Sequence, residues 1–199
     1  GDAKQLTNIS SGGAATPETL AALYATKTAA AFPGGGWGMT ETLGTGAAFT
    51  GHFCSHRPMA SGFPSPIMEF SFLDEDGKPT PPGVAGEINV RSSAAIQRYH
   101  TGSSEDFYEG WLATGDVGYI NEEGLLFICG RVKDMIIRGG ENIYPSEIEA
   151  CLTTLPLCLD AAVVGRPDPK WGEEVAAVVQ VPPGTEANSQ LVIEHCQQQ

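Results

Sequence analysis

One uninterrupted run, GRVKDMIIRGGENIYPSEIE at residues 130–149, constrains this chain more than any other feature. It sets a basic cluster (Arg131, Lys133, Arg138), an apolar strand, a bare glycine pair and a helix start in direct succession, a combination that generic loops rarely hold. Pro145 and Ser146 open the helix IYPSEIEACLTTL, since a first-turn proline gives up an N–H that has no intrahelical partner anyway. Beyond it, LDAAVVG and EVAAVVQV read as two strands joined by RPDPKWGE, and SQLVIEHCQQQ reads as a further helix. The order strand, helix, strand, strand, helix predicts a small α+β domain over 135–199, set off from residues 1–130 by a joint at 131–134. Asp168, Glu173 and Glu174, beside Trp171, are expected in a solvated turn.

The amino-terminal part carries a different pattern. KQLTNISSGG has the form of a strand running into a tight turn, and Thr16-Pro17-Glu18 supplies an N-cap, a first-turn proline and an acid. Leu20, Leu23, Tyr24, Thr28 and Ala31 recur at helical spacing up to Phe32, and Pro33-Gly34-Gly35-Gly36 is expected to stop that helix as a glycine loop. Residues 44–66 look loop-like. IMEFSFLD then alternates as a strand, DEDGKPTPPG turns, and GEINVRS returns as its partner. VGYI and LLFICG flank a turn cluster at Asn121 to Gly124, which makes 66–130 a mainly β subdomain.

Composition excludes several functions. Only 11 Lys and Arg stand against 24 Asp and Glu, a net charge of −13, so the basic footprint of a nucleic-acid binder is absent. No apolar stretch approaches the ~20 residues of a membrane span, and GDAKQLTNIS is no leader, which together point to a cytoplasmic protein. Five scattered cysteines without C-x-x-C spacing fit reduced thiols rather than a disulfide framework or a zinc ribbon. With no initiator Met and a last helix broken off in mid-run, the chain is expected to be a piece of something longer.

Three segments carry chemistry. In GWGMTET, residues 36–42, glycines let a ligand approach the main chain, Trp37 can stack on a purine, Thr40 can bond a phosphate oxygen and Glu41 can hold Mg²⁺. The same residues also suit a glycine-rich turn with a core tryptophan and a surface acid. In WLATGDVG, residues 111–118, Asp116 follows a Thr-Gly turn and precedes a strand, where it can accept ribose hydroxyls or simply start the strand. The 130–149 run is the third. His52, Cys54 and His56 alternate, but they offer three ligands where structural zinc uses four, so a plain loop histidine pair is expected there.

Together with SSGGAATPETL, SHRPMASGFPSP and GEINVRSSAAIQRYH, these segments resemble, in order and over essentially the whole chain, the carboxyl-terminal part of adenylate-forming enzymes. That superfamily joins acyl-CoA synthetases, peptide-synthetase adenylation domains and firefly luciferase. The resemblance implies an α+β / α/β fold: the last part of a large AMP-binding domain, then a small, truncated α+β domain. RGGENIYPSEIE is more similar to CoA ligases than to the other two branches. The implied reaction joins a carboxylic acid, ATP and CoA through an acyl-adenylate, releasing pyrophosphate and then AMP.

Carried onto this sequence, the resemblance implies a nucleotide site of Gly13, Trp37, Gly38, Thr40, Asp116 and Arg131, with Glu41 on magnesium and Asp116 and Arg131 on the ribose. Thr40, Glu41 and Lys133 are the implied catalytic set, Lys133 as the hinge. Gly139 and Gly140 would line the CoA tunnel, and Gly12, Gly35 and Gly36 the acyl pocket. Two family parts lie outside the chain, the upstream phosphate loop with its lysine and the catalytic lysine of the final G-K segment, so the chain alone is expected not to turn over. The missing amino-terminal part of the enzyme is then a required partner. A ligase loading a carrier-protein thiol, or a non-catalytic nucleotide- or partner-binding remnant, are the rival readings.

Overall fold

A computed structural model describes residues 8–10, 12–13, 32–49, 57, 59–100, 106–185 and 188–198. In chain order the elements are β1 (Asn8–Ser10), β2 (Phe32–Gly38), β3 (Gly46–Phe49), β4 (Ala60–Pro64), β5 (Met68–Leu73), β6 (Gly86–Ser92), β7 (Phe107–Tyr108), β8 (Trp111–Ile120) and β9 (Leu126–Arg131). There follow β10 (Ile136–Arg138), β11 (Glu141–Ile143), α1 (Pro145–Thr153), β12 (Asp160–Asp168), β13 (Gly172–Gln180) and α2 (Ser189–Gln197). The chain divides into two compact units, Gly1–Ile128 and Cys129–Gln199, and β9 carries it from one to the other. This strand-rich α+β content is the fold class expected. The helix expected from Thr16 lies outside the described residues, except that Phe32 begins β2, and so does the His52, Cys54, His56 group.

Strands of the first unit form one path, β1-β2-β3-β4-β9-β8-β6-β5, with β7 attached to β8. Among the described strands only β1 and β2 are registered parallel, Asn8 opposite Phe32 and Ser10 opposite Gly34. Residues expected as a glycine stop loop are thus a strand. The glycines are there because neighbouring backbone leaves no room: a Cβ on Gly36 would lie 2.9 Å from the Ala47 carbonyl oxygen, and one on Gly38 2.6 Å from that of Gly44. Part of the expected 44–66 loop is strand too, because β3 and β4 bury Ala47, Phe49 and Ala60. β5 and β6 pair antiparallel as expected, Phe70 opposite Val90. Ile88, Val90, Leu112 and Leu126 are fully buried with Met68 and Ala47, while Leu125 joins Phe49 and Ala60 in a second cluster. Each such side chain stabilises the fold by about 1.5–3 kcal/mol on burial.

β8 corrects another expectation. Thr114-Gly115 is no turn ahead of a strand but a bulge inside a continuous one. Asn89 pairs with Ala113 and Glu87 with Val117, so residues 114–116 lie against the single Ile88. Gly115 takes φ +71°, and the Thr114 hydroxyl donates to the Ile88 carbonyl at 2.8 Å while accepting the Asp116 N–H at 3.1 Å. Bulges re-aim side chains, and this one turns Asp116 out of the regular alternation.

In the second unit a four-stranded sheet runs β11-β10-β13-β12. β12 and β13 are longer than the sequence indicated, Asp168 pairing with Gly172, so Glu173 and Glu174 stand in a strand rather than a turn. The reason is side-chain bonding: Glu173 Oε2 accepts the Ile137 N–H at 2.7 Å, extending the single β10–β13 register pair, and Glu174 pairs with Arg166. β11 is an extra strand. Ile136, Leu152 and Val163 form the core, with Ile148, Val175 and Val179 packed on it.

Candidate active site

Parallel β1 and β2 send their carboxyl ends to one edge of the first sheet, the edge beyond which α/β sheets hold ligands. β1 leads to Gly12 and Gly13, whose missing side chains would meet no atom within 4 Å, and Gly13 adopts φ +84°. β2 leads to Met39 and a 3₁₀ turn, Thr40–Thr42. Thr42 is fully buried, and its hydroxyl donates to the Met39 carbonyl at 3.1 Å and accepts the Met39 N–H at 3.3 Å. That clamp leaves Thr40 exposed and Glu41 half-buried. Leu43 closes the turn in the left-handed region at φ 54° with its side chain in solvent. A non-glycine residue holds such a conformation only where its surroundings over-determine it.

Two long-range hydrogen bonds fix the side chains here. Tyr99 Oη donates to Glu41 Oε1 at 3.0 Å, and the Ile96 N–H donates to the Glu41 carbonyl at 2.8 Å, so one segment grips both ends of this residue. Tyr99 stacks edge-on against Phe107, and burial, then the Glu41 carboxylate, raises its phenol. It therefore stays a donor at neutral pH. Trp37 Nε1 donates to Asp116 Oδ2 at 2.8 Å, and the indole, tilted against Phe70, packs on the core. Beside the bulge, burial raises the Glu87 carboxyl, against the lowering effect of the Gly115 N–H it accepts. Asn89 Oδ1, two residues on in β6, is buried without a hydrogen-bond partner among the described residues.

Three motifs distant in sequence thus meet in the first unit: Trp37 and Glu41, Tyr99, and Asp116. Gly35, Gly36 and Gly38 lie along β2 beside them, Gly35 with ordinary contacts to Phe49 and Ala60. Tyr99 and Glu87 were not singled out in the sequence. Tyr99 stands in GEINVRSSAAIQRYH, but nothing local to that segment reports a contact across 58 positions.

The second unit holds the other candidates. Arg131 caps a 3₁₀ turn, Val132–Asp134, that carries exposed Lys133 between β9 and β10. Gly139 and Gly140 are the two-residue turn of the β10–β11 hairpin, with φ +63° and +88°, so their absence of side chains has a purely local reason in a turn that needs positive φ twice. Gly139 has a further one. A Cβ there would lie 2.9 Å from the Trp171 indole, and its N–H donates to the Trp171 carbonyl at 2.8 Å. Trp171, part-exposed, has the Lys170 ammonium 4.4 Å and the Arg138 guanidinium 5.1 Å from its ring centroid. The N–H groups of Trp171 and Lys170 hold the Asp168 carboxyl below its usual range and shape this turn. Sequence reasoning missed the cationic, aromatic corner at Trp171, because two separate hairpin turns build it.

Comparison with known proteins identifies the family. A profile described as AMP-binding enzyme matches residues 1–100, and one described as AMP-binding enzyme C-terminal domain matches 147–199. The chain is 35% identical to the long-chain-fatty-acid–CoA ligase FadD13 of Mycobacterium tuberculosis over 98% of its own length and 39% of that protein's. It is 38% identical to a fatty acid–[acyl-carrier-protein] ligase, ScoC, of Streptomyces coeruleorubidus over 74% and 30%. The solved o-succinylbenzoate CoA synthetase of Bacillus subtilis, in complex with its acyl-adenylate intermediate, superposes with a TM-score of 0.84 at 30% identity, covering 96% of this chain and 39% of that one. The same synthetase is also solved with ATP and a magnesium ion. The chain thus spans about two fifths of the length of such relatives, and it belongs to the AMP-binding enzyme family.

Proposed function

We propose that this chain is the carboxyl-terminal part of an ATP-dependent acyl-CoA ligase, contributing the nucleotide-facing edge of its large domain and the start of its small one. The observation that carries the reading is the gathering of Trp37, Glu41, Tyr99 and Asp116 at the carboxyl ends of two parallel strands. Among the described residues there, Glu41 and Thr40 offer oxygen donors, the kind that suits Mg²⁺. Glu41 is the residue that would hold it, and a bound magnesium ion would draw charge from phosphate oxygens.

Around that ion the chain's own groups have separable tasks. Tyr99 orients Glu41 through its hydroxyl, Thr40 offers a hydroxyl to phosphate, and Trp37, braced by Asp116, offers a ring to the adenine. Asp116 and Arg131 serve the ribose, each described in its own unit. The carboxylate of the acid substrate attacks the α-phosphorus, pyrophosphate leaves, and the resulting mixed anhydride is a better acyl donor than the acid. A thiol then attacks the acyl carbon and AMP leaves. For that second step Lys133 is the hinge, Gly139 and Gly140 border the passage of the thiol arm, and Gly12, Gly35 and Gly36 border the acyl pocket. Arg138 and Lys170 around Trp171 offer positive charge for phosphates carried on such an arm.

In this reading turnover also needs the two lysines that the resemblance implies elsewhere in the enzyme; losing one transition-state donor costs about 2.7–4 kcal/mol. Likeness to a carrier-protein ligase keeps a carrier thiol as the second acceptor to test. Comparing thioester formation with free CoA and with a phosphopantetheinylated carrier, in the longer enzyme, separates them. Lys133→Pro in the same enzyme is expected to depress thioester formation far more than adenylation, and equal loss of both steps removes Lys133 from the hinge role.

A further inference from the structure

Cys151 in α1 and Cys196 in α2, 45 positions apart, bring their sulfur atoms to 3.9 Å. Both are half-buried free thiols, and neither has a part in the reaction proposed above. We propose that this pair is an oxidative modification site, at which a peroxide converts the two thiols into a disulfide that staples α2 onto α1.

Three features of the second unit carry this. First, the two sulfurs already touch, and a displacement of about 2 Å brings them to the ~2.05 Å of a disulfide. Second, α2 can make that displacement. It has no fully buried residue, and Val192 and Cys196 are its members packed on the Ile136, Leu152, Val163 core. Third, its last turn is held in register with α1 by His195, whose Nε2 lies 3.1 Å from the Cys151 carbonyl oxygen and 2.8 Å from Thr154 Oγ1. The other described thiols lack this setting. Cys129 is buried in β9, and the Cys158 thiol donates to the Asp160 carbonyl at 3.4 Å.

The chemistry balances in two steps. One thiol sulfur takes an oxygen from hydrogen peroxide, the O–O bond breaks, and water leaves with a sulfenic acid formed. The second sulfur attacks the first, its proton leaves with the hydroxyl as another water, and the S–S bond forms. Two thiols and one peroxide thus give one disulfide and two waters. Because the link closes a long loop onto a loosely packed helix, it removes freedom mainly from the unfolded chain.

The test needs only the 199-residue chain and stands whether or not the ligase reading holds. Reduced protein is treated with equimolar hydrogen peroxide, free thiols are capped with N-ethylmaleimide, and peptides are mapped by mass spectrometry without reductant. The expected result is a linked Cys151–Cys196 peptide from monomeric protein, with a midpoint for thermal unfolding raised by several degrees and restored by dithiothreitol. Cys151→Ser and Cys196→Ser each remove the link, and Cys158→Ser leaves it. Capped Cys151 and Cys196 after peroxide, a link from either to Cys54 or Cys158, or a link between two copies overturns the proposal; the wild-type map decides even if a serine variant fails to fold.

Discussion

The two units hold their candidate groups in opposite ways. In the first, hydrogen bonds from 37 to 116 and from 41 to 99 lock side chains drawn from three separate motifs. In the second, Arg131, Lys133, Gly139 and Gly140 lie within a short stretch of chain, all exposed, and what that stretch displays at its glycines is backbone. In the reading proposed above, the contrast teaches where each half of a two-step reaction places its demands. Stabilising charge at a phosphate requires groups fixed before the substrate arrives, whereas passing a slender thiol arm requires a surface with little on it.

The strongest way to break the comparison is to remove a core residue from one unit alone. Leu152→Ala is expected to cost about 2–5 kcal/mol, as is Ile88→Ala, since both side chains are fully buried. Hydrogen exchange should show Leu152→Ala releasing amides of β12 and β13 while β6 and β8 keep their protection, and the reverse for Ile88→Ala. Equal release everywhere would mean the units are not separately cooperative. Next in size, Asp116→Ala strands the half-buried Trp37 N–H and should cost about 1–3 kcal/mol in denaturant unfolding, with Asp116→Asn recovering part of it. No loss on Asp116→Ala would mean the first unit's side chains are not braced as described.

Within the second unit the glycine pair splits the two reasons for a bare backbone. Gly140→Ala meets open space and pays only for its left-handed conformation, about 1–2 kcal/mol. Gly139→Ala adds a clash with Trp171, so it should cost more and alone shift the Trp171 fluorescence. The smallest effect is at Glu87. Because burial raises its carboxyl in the folded state, the native protein binds that proton more tightly than the unfolded chain does. Its contribution to stability is present below the ordinary carboxyl range and is lost as pH rises through the raised value. Relative to Glu87→Gln, the wild type should therefore lose stability over that rise, and a gain would contradict the burial argument.

How much of this was legible in the sequence follows the same division. β5 and β6 were legible from the alternation in IMEFSFLD and the turn residues that follow it. So was α1, because Pro145 marks its start. β2 was hidden because Pro33 to Gly36 spell a stop signal, and only the nearness of Ala47 and Gly44 reveals that glycine is needed for a strand. The Gly115 bulge looked like a turn, since positive φ serves both. Among site residues, Trp37, Glu41 and Asp116 were marked by local motifs. Tyr99 and Trp171 were not, because their meaning lies in partners that folding brings from elsewhere in the chain.

One measurement addresses the central claim most directly: ATP–pyrophosphate exchange by the longer enzyme containing this chain, across a panel of carboxylic acids with Mg²⁺. The account predicts exchange with at least one acid, lowered roughly 10²- to 10³-fold by Glu41→Gln and about tenfold by Tyr99→Phe, which removes the hydroxyl that orients it. A folded enzyme that exchanges with no acid, or one whose exchange survives Glu41→Gln unchanged, would contradict it.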